Sequence, residues 1–202
     1  MDYAHAAAEG SLRRLPALLD DLQAFLQSLP APDKIPAISL SLDDAYGDKG
    51  VLRSEVRVNQ VVVGCLREAQ RLARVIEVNL RHMNLSLALR TPPIQDGGNF
   101  GVGVLKAVAA RADRCFVAVD QMDQHLSKYL RSRQEIARSI LRTPKVQDLH
   151  VLLSVTDSDA IHDCGYYANA LHRLACVLLD TYAKNADKVN APRPATDAQG
   201  MY

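Results

Sequence analysis

The sequence predicts an all-α protein that folds as an elongated four-helix bundle. Four segments repeat apolar residues at alternating steps of three and four, which is the spacing of one face of a helix. Tryptophan is absent and aromatic residues make up 5% of the chain, whereas leucine, alanine and valine are abundant. Such a composition is typical of long helices packed along aliphatic seams. The length of 202 residues suits one domain with a sizeable core.

The first helix is predicted over about residues 3–29. Pro16 lies inside this segment. Because proline in a helix interior removes a hydrogen bond, we expect the helix to start near Pro16 or to kink there. Pro30 and Pro32 end the segment. The predicted seam residues are Leu15, Leu18, Leu22, Phe25 and Leu29.

An insert is predicted between the first two helices. Residues 31–50 lose the apolar period and are rich in proline, glycine, aspartate and serine. We therefore expect a loop or a poorly ordered segment there. It contains no run of basic residues, so it offers no obvious nuclear-import signal.

The second helix is predicted over about residues 52–89. The β-branched residues between Val56 and Val63 could form a strand if they stood alone. The apolar stripe continues in register for about six further turns, which favours a helix. The stripe consists of Val58, Val62, Cys65, Ala69, Leu72, Ile76, Leu80, Met83 and Leu87.

A loop over about residues 92–102 separates the second helix from the third, which is predicted over about residues 103–142. Pro92 and Pro93 end one helix, and the glycines that follow shape a turn. Arg133 takes one seam position of the third helix. We expect it to face a subunit boundary or a wet channel, or to snorkel from the end of the bundle. The other seam residues are Leu105, Val108, Ala112, Cys115, Val119, Met122, Leu126, Tyr129, Ile136 and Ile140.

A linker over about residues 143–157 precedes the fourth helix, which is predicted over about residues 158–190. Pro144 breaks the third helix, and a short helical connector is predicted from Val146 to Leu153. The N-cap cluster that starts the fourth helix is Thr156, Asp157, Ser158 and Asp159. Residues 191–202 lack an apolar period, so we expect them to be flexible until they bind something. The fourth seam consists of Ala168, Leu171, Ala175, Leu178, Tyr182 and Val189.

No motif in the sequence supports catalysis or a cofactor. The turn from Gly97 to Gly103 lacks the G-x-G-x-x-G spacing and follows a helix, so ATP binding is not expected. No G-x-S-x-G and no cysteine in a catalytic context is present. His162 with Cys164 and His172 with Cys176 are the best metal-like pairs. Neither pair has a matching pair elsewhere, so we expect no metal.

Charge and hydropathy argue against further classes of function. Lys plus Arg number 24 against 23 Asp plus Glu, and this balance argues against a nucleic-acid partner. No run of eighteen or more apolar residues is present, so we expect no membrane span. The first residues lack the pattern of a secretory signal. The four cysteines are widely spaced, and we expect buried, reduced thiols in a cytoplasmic or nuclear protein.

Three blocks of the sequence resemble the 11S (REG) proteasome activators, of the interferon type. The segment after Pro92-Pro93 resembles the activation loop of that family. The block from Pro144 resembles its linker between helices three and four, and the ending resembles its C-terminus. The resemblance is strongest from about residue 66 to residue 202. The matching residues are Gln95, Asp96, Gly97, Gly98, Asn99, Phe100, Gly101 and Val102 in the activation loop, Pro144, Lys145, Val146 and Asp148 in the linker, and Gly200, Met201 and Tyr202 at the end.

The resemblance implies a regulator of a protease and not an enzyme. It implies a ring, heptameric in the family, made of this chain alone or together with a sister subunit. The C-terminal docking tail, residues 191–202, would enter pockets between the α-subunits of the 20S proteasome core particle. The activation loops would then press on the gate of the core and open it without ATP. Several weakly binding tails on one ring would bind tightly together through effective concentration.

Two residues of the activation loop depart from the family pattern. Gln95 replaces the usual glutamate, and Gly98 stands where the family usually has asparagine. Because glycine loosens the backbone and removes a hydrogen-bonding side chain, we expect gate opening to be affected more than docking. The alternative function is a helical scaffold or adaptor that self-associates through its seams and binds no proteasome.

Overall fold

The structure is a computed structural model that describes residues 2–36, 56–93 and 99–192. Within these ranges every regular element is a helix, so the prediction of an all-α four-helix bundle is confirmed. None of the helices described is both long and apolar enough to cross a membrane. The helices are α1 (Asp2–Ser28), α2 (Gln60–Arg90), α3 (Phe100–Arg142), α4 (Gln147–Lys184) and α5 (Ala186–Asn190), with a 3-10 turn over Pro32–Lys34.

The core of the bundle is one apolar cluster formed by the inner faces of α1 to α4. α2 packs against α1 and α3, and α4 closes the bundle because it contacts both α3 and α1. The short connections from α2 to α3 and from α3 to α4 make these neighbours antiparallel. Apart from Val58, every predicted seam residue of the second, third and fourth helices is buried or half-buried. The largest fully buried side chains of the cluster are Leu15, Leu22, Leu66, Leu72, Ile76, Leu80, Met83, Leu87, Leu105 and Met122.

Helix α1 runs through Pro16 and does not start there. It begins at Asp2, so the expectation of a start near the proline is wrong. Pro16 lies on the exposed face of the helix, where water can reach the carbonyl group that proline leaves without a donor. The predicted seam faces inward, with Leu15, Leu22 and Phe25 buried.

Helix α2 begins at Gln60, later than the prediction of residue 52 for its start. Residues 56–59 are not helical, and the Asn59 side chain caps the helix by accepting a hydrogen bond from the Val62 amide at 3.4 Å. Val58 precedes this cap and is 45% exposed, so its place in the apolar spacing was a coincidence. Most of the predicted insert, residues 37–50, lies outside the described residues.

Helices α3 and α4 both begin earlier than predicted. α3 begins at Phe100, so the last three residues of the predicted loop belong to its first turn. α4 begins at Gln147 and continues without interruption to Lys184, which leaves a linker of residues 143–146 only. The predicted N-cap cluster therefore lies inside α4, because Asp157 turns inward to buried partners and does not cap a helix. The fourth helix ends at Lys184, and α5 covers the remaining turn.

Candidate functional site

The loop between α2 and α3 is anchored at both ends by local hydrogen bonds. At the end of α2, the Thr91 hydroxyl donates to the Leu87 carbonyl at 2.8 Å, and the Thr91 amide donates to the Ala88 carbonyl at 3.2 Å. Pro92 and Pro93 follow and cannot continue the helix. At the start of α3, the Gly103 amide donates to the Asn99 carbonyl at 3.0 Å. The loop residues Gln95, Asp96, Gly97 and Gly98 lie outside the described residues.

The described residues of the predicted activation loop divide into an exposed and a buried group. Phe100 is 73% exposed at the first position of α3, which is unusual for so large an apolar side chain. Gly101 and Val102 are buried against the bundle. Phe100 is therefore the one of these three residues that is available to a partner.

Helix α5 packs at the same end of the bundle as the loop. Its residue Val189 is completely buried and joins the main apolar cluster. The Arg90 Nη1 atom, at the end of α2, donates to Asn190 Oδ1 at 2.7 Å. The Lys188 Nζ atom lies 5.0 Å from the centre of the Phe100 ring, which is within the range of a cation–π contact. Helix α5 thus contacts both helix ends that hold the loop.

Gly101 lies against the backbone of Pro192, the second residue of the predicted docking tail. A Cβ atom at Gly101 would overlap the Pro192 carbonyl oxygen and would lie 2.8 Å from the Pro192 Cα. Only glycine allows this close approach of the two backbones. The loop and the start of the tail are consequently in contact at one end of the bundle. The tail residues Gly200, Met201 and Tyr202 lie outside the described residues.

The linker residues lie at the opposite end. α3 contains 43 residues, so the linker is roughly 60 Å from the loop at 1.5 Å per residue. The Pro144 carbonyl oxygen lies 3.3 Å from His150 Nε2, which holds the turn against the first turn of α4. Lys145, Val146 and Asp148 are exposed. The structure therefore does not bring the linker together with the loop and the tail.

A buried polar cluster joins three helices near the start of α2. Asp157 accepts hydrogen bonds from Asn59 Nδ2 at 2.8 Å, from the Tyr129 hydroxyl at 2.8 Å and from Arg133 Nε at 3.0 Å. Asn59 also donates to the Pro36 carbonyl at 3.2 Å. The predicted exposure of Arg133 to a boundary or channel is wrong, because its side chain is buried and paired with Asp157.

No local pattern in the sequence predicts this cluster. Burial raises the pKa of Tyr129, and its hydrogen bond to Asp157 adds to the shift. The one signal in the sequence is Arg133, a charged residue on an apolar seam. Its partner Asp157 looked like a helix cap in the local sequence. The cluster joins helices, because Asp157 of α4 is bonded to Tyr129 and Arg133 of α3 and to the N-cap of α2.

The four cysteines are free thiols, and three of them are shielded from solvent to different degrees. Cys115 and Cys164 are buried, Cys65 is half-buried, and Cys176 is exposed, contrary to the expectation of burial. Burial raises the pKa of Cys115 to about 11 and that of Cys164 to about 12. Within residues 2–36, 56–93 and 99–192, no three His, Cys, Asp or Glu side chains cluster as a metal site would require.

Comparison with known proteins gives the same class of fold and the same family. The family model described as proteasome activator PA28, C-terminal, matches residues 55–199. Proteasome activator complex subunit 3 of Homo sapiens is 25% identical over 154 residues, which are 76% of this chain. The match spans 58% of the length of that relative.

Two solved structures show the same bundle. The 11S subunit PA28 of the Plasmodium falciparum proteasome has a TM-score of 0.77 and 22% identity, over 94% of this chain and 89% of that chain. A mutated P26 activator, solved in complex with an archaeal 20S proteasome, has a TM-score of 0.82 and 17% identity, over 97% and 93% of the two chains.

The described helices form a four-helix bundle in which the start of α3 contacts the segment that follows α4. The family match covers most of the chain and includes α2, α3, α4 and α5. The chain belongs to the PA28 family of proteasome activators.

Proposed function

We propose that this protein activates the 20S proteasome core particle without ATP and is itself not an enzyme. In this proposal a heptameric ring docks through its C-terminal tails, and its activation loops open the gate of the core. The observation that carries the proposal is the placement of the loop and of the start of the tail at one end of the bundle. One face of a ring would then present both elements to the same partner.

The tails would supply the binding energy. Each docking tail, residues 191–202, would bind only weakly on its own. Seven tails on one rigid ring would raise the overall affinity well above that of one tail, because each later contact is intramolecular. The terminal residues Gly200, Met201 and Tyr202 would make the decisive contacts, as the family resemblance implies.

The activation loops would open the gate of the core particle. Phe100 is exposed at the end of the loop, held over Lys188, and would lie on the face that meets the core. Opening by this route uses binding energy alone, because a ligand shifts an equilibrium by its differential affinity for the two states. The proposal therefore requires no nucleotide, and the relatives that match this chain are named as activators of the proteasome.

The proposal is tested by deletion of Met201 and Tyr202. Full-length and truncated protein are each sedimented with purified core particle, and the oligomeric state of each is measured by light scattering. We expect the truncated protein to keep its oligomeric state and to lose binding to the core. The exposed linker variant Lys145→Ala, at the opposite end of the bundle, is the control and should bind normally.

Equal binding of the truncated and the full-length protein would contradict docking through the tails. Absence of binding by both proteins would instead favour the scaffold or adaptor. A small tag added after Tyr202 separates these functions further, since it should matter only to an activator.

A further inference from the structure

We propose that residues 186–192, here called the α5 segment, position the activation loop relative to the docking tail. The inference rests on the proposed function and adds to it helix α5, whose residues lie outside the loop and outside the docking tail. Lys188, through Phe100, and Pro192, through Gly101, are the positioning residues. The α5 segment thus connects the docking tail, which binds the core particle, to the activation loop, which opens its gate.

The contacts of the α5 segment reach both ends of the loop. Asn190 accepts a hydrogen bond from Arg90 at the end of α2, at 2.7 Å. Lys188 lies over Phe100 at the start of α3, 5.0 Å from the ring centre. A loop whose two ends are held by one element has its position fixed relative to that element.

The α5 segment is itself fixed to the bundle. Val189 is completely buried, and its amide donates to the Asn185 carbonyl at 2.9 Å. The Ala191 amide donates to the Asp187 carbonyl at 2.9 Å, which carries the ordered backbone on to Pro192. Ala191 and Pro192 are the first two residues of the predicted docking tail. A tail bound to the core would therefore place the loop through this short ordered segment.

Gly101 provides the sharpest test of this arrangement, because a single methyl group breaks the contact. A Cβ atom at Gly101 would overlap the Pro192 backbone, whereas a Cβ atom at Gly103 would meet no atom within 4 Å. Both glycines lie in the first turn of α3. Alanine at either position favours the helix to the same degree. Gly103→Ala is therefore the matched control for Gly101→Ala.

Lys188 provides a second, independent test. Lys188→Met removes the charge over Phe100 but keeps an apolar stem of similar length, and Lys188→Arg keeps a cation. The matched control is Lys184→Met. Lys184 is exposed near the same end of the bundle and pairs with Asp180 at 2.7 Å, away from the loop.

The experiment measures three properties of each full-length variant. The first two are affinity for the core particle and maximal stimulation of peptide hydrolysis at saturating activator. The third is hydrogen exchange of the amides in residues 99–105 and 186–192, in the assembled protein without the core. Exchange reports local opening of the α5 segment whether or not the proteasome is activated. Size and thermal stability confirm that each variant is folded.

We expect Gly101→Ala to bind the core, to stimulate it poorly and to exchange faster at Val189 and Ala191. Lys188→Met should lower maximal stimulation by about two- to fivefold. This factor is the decrease in the population of correctly positioned loops that follows from the loss of one exposed cation–π contact. Lys188→Arg should restore stimulation. The controls Gly103→Ala and Lys184→Met should behave as the unsubstituted protein.

Two results would overturn the inference. Unchanged stimulation and unchanged exchange in Gly101→Ala would show that the α5 segment does not position the loop. Equal loss of binding and stimulation would show that it serves the tail alone. If the unsubstituted protein does not stimulate the core, the proposed function fails. The exchange data alone then decide whether the α5 segment holds the ends of the loop.

Discussion

The Arg133 Nε atom lies 3.0 Å from Oδ1 of Asp157 in the interior of the bundle, where the two side chains are 6% and 2% exposed. The same carboxylate accepts hydrogen bonds from Tyr129 and Asn59. One further atom of the arginine, Nη2, is buried and has no hydrogen-bond partner among the residues that the structure describes. The pair joins α3 to α4 at the level where α2 begins. The stability of the folded protein therefore depends on the presence of both charged side chains of the pair.

Asp157→Ala should destabilise the folded protein strongly. Removal of one partner from a buried ion pair leaves an uncompensated charge, which costs about 3–5 kcal/mol. Asp159→Ala, at an exposed position two residues later, should change the free energy of unfolding by less than about 0.5 kcal/mol. Both values are measured by chemical denaturation at one protein concentration, because assembly shifts apparent stability. Equal stability of the two variants would contradict a structural role for the pair.

The protein should lose stability at alkaline pH. Burial raises the pKa of Cys115 to about 11 and of Cys164 to about 12, and it also raises the pKa of Tyr129. As pH rises, these groups lose their protons at lower pH in the unfolded chain than in the folded protein. Their contribution to the free energy of unfolding is therefore constant below the ordinary thiol pKa. It falls as pH rises through about 9 to 12, by at most about 1.4 kcal/mol per pH unit for each group.

Denaturation midpoints between pH 8 and pH 11 measure this loss. The variant Cys115→Ala should show a shallower decline above pH 9 than the unsubstituted protein, whatever its stability at pH 8. Cys176→Ala, which removes an exposed thiol, controls for the loss of a cysteine. A flat profile in the unsubstituted protein would contradict the burial of these groups.

The cysteines should differ in their rates of alkylation. Thiolates are the reactive form, so a buried thiol with a raised pKa reacts slowly. Under native conditions at pH 8 we expect modification of Cys176, slower modification of Cys65, and protection of Cys115 and Cys164. Peptide mass spectrometry after timed labelling measures the order, and denaturant should abolish the differences. Early labelling of Cys164 would place it outside the core.

Phe100→Ala should separate binding from activation. The side chain is 73% exposed and lies outside the apolar core, with its ring against Lys188. We expect the variant to sediment with the core particle through its tails but to stimulate it poorly. Val117→Ala removes another exposed apolar side chain of α3 and should keep activity. Loss of binding by Phe100→Ala would mean that loop and tail do not have separate roles.

The sequence predicts the long helices well because their apolar spacing is regular over many turns. Its errors fall where a single polar side chain decides the structure. Asn59 starts α2 by capping it, although the valines before it continue the apolar spacing. Asp157 resembles a helix cap beside Thr156 and Ser158, but it is buried inside α4.

The reason for these errors is the distance along the chain between partners. Asp157 contacts Asn59 across 98 residues and Tyr129 across 28 residues, and local patterns do not contain such pairings. The loop motif and the terminal residues were recognised by resemblance. The contact of Gly101 with Pro192 is likewise nonlocal, so the physical link between the loop and the tail becomes visible only in the folded chain.

The most direct measurement of the proposed activity is hydrolysis of a fluorogenic peptide by latent 20S core particles, with and without this protein and without ATP. We expect strong stimulation that saturates with added protein and disappears on deletion of Met201 and Tyr202. Failure of the full-length protein to stimulate hydrolysis or to sediment with the core would contradict the proposed activity.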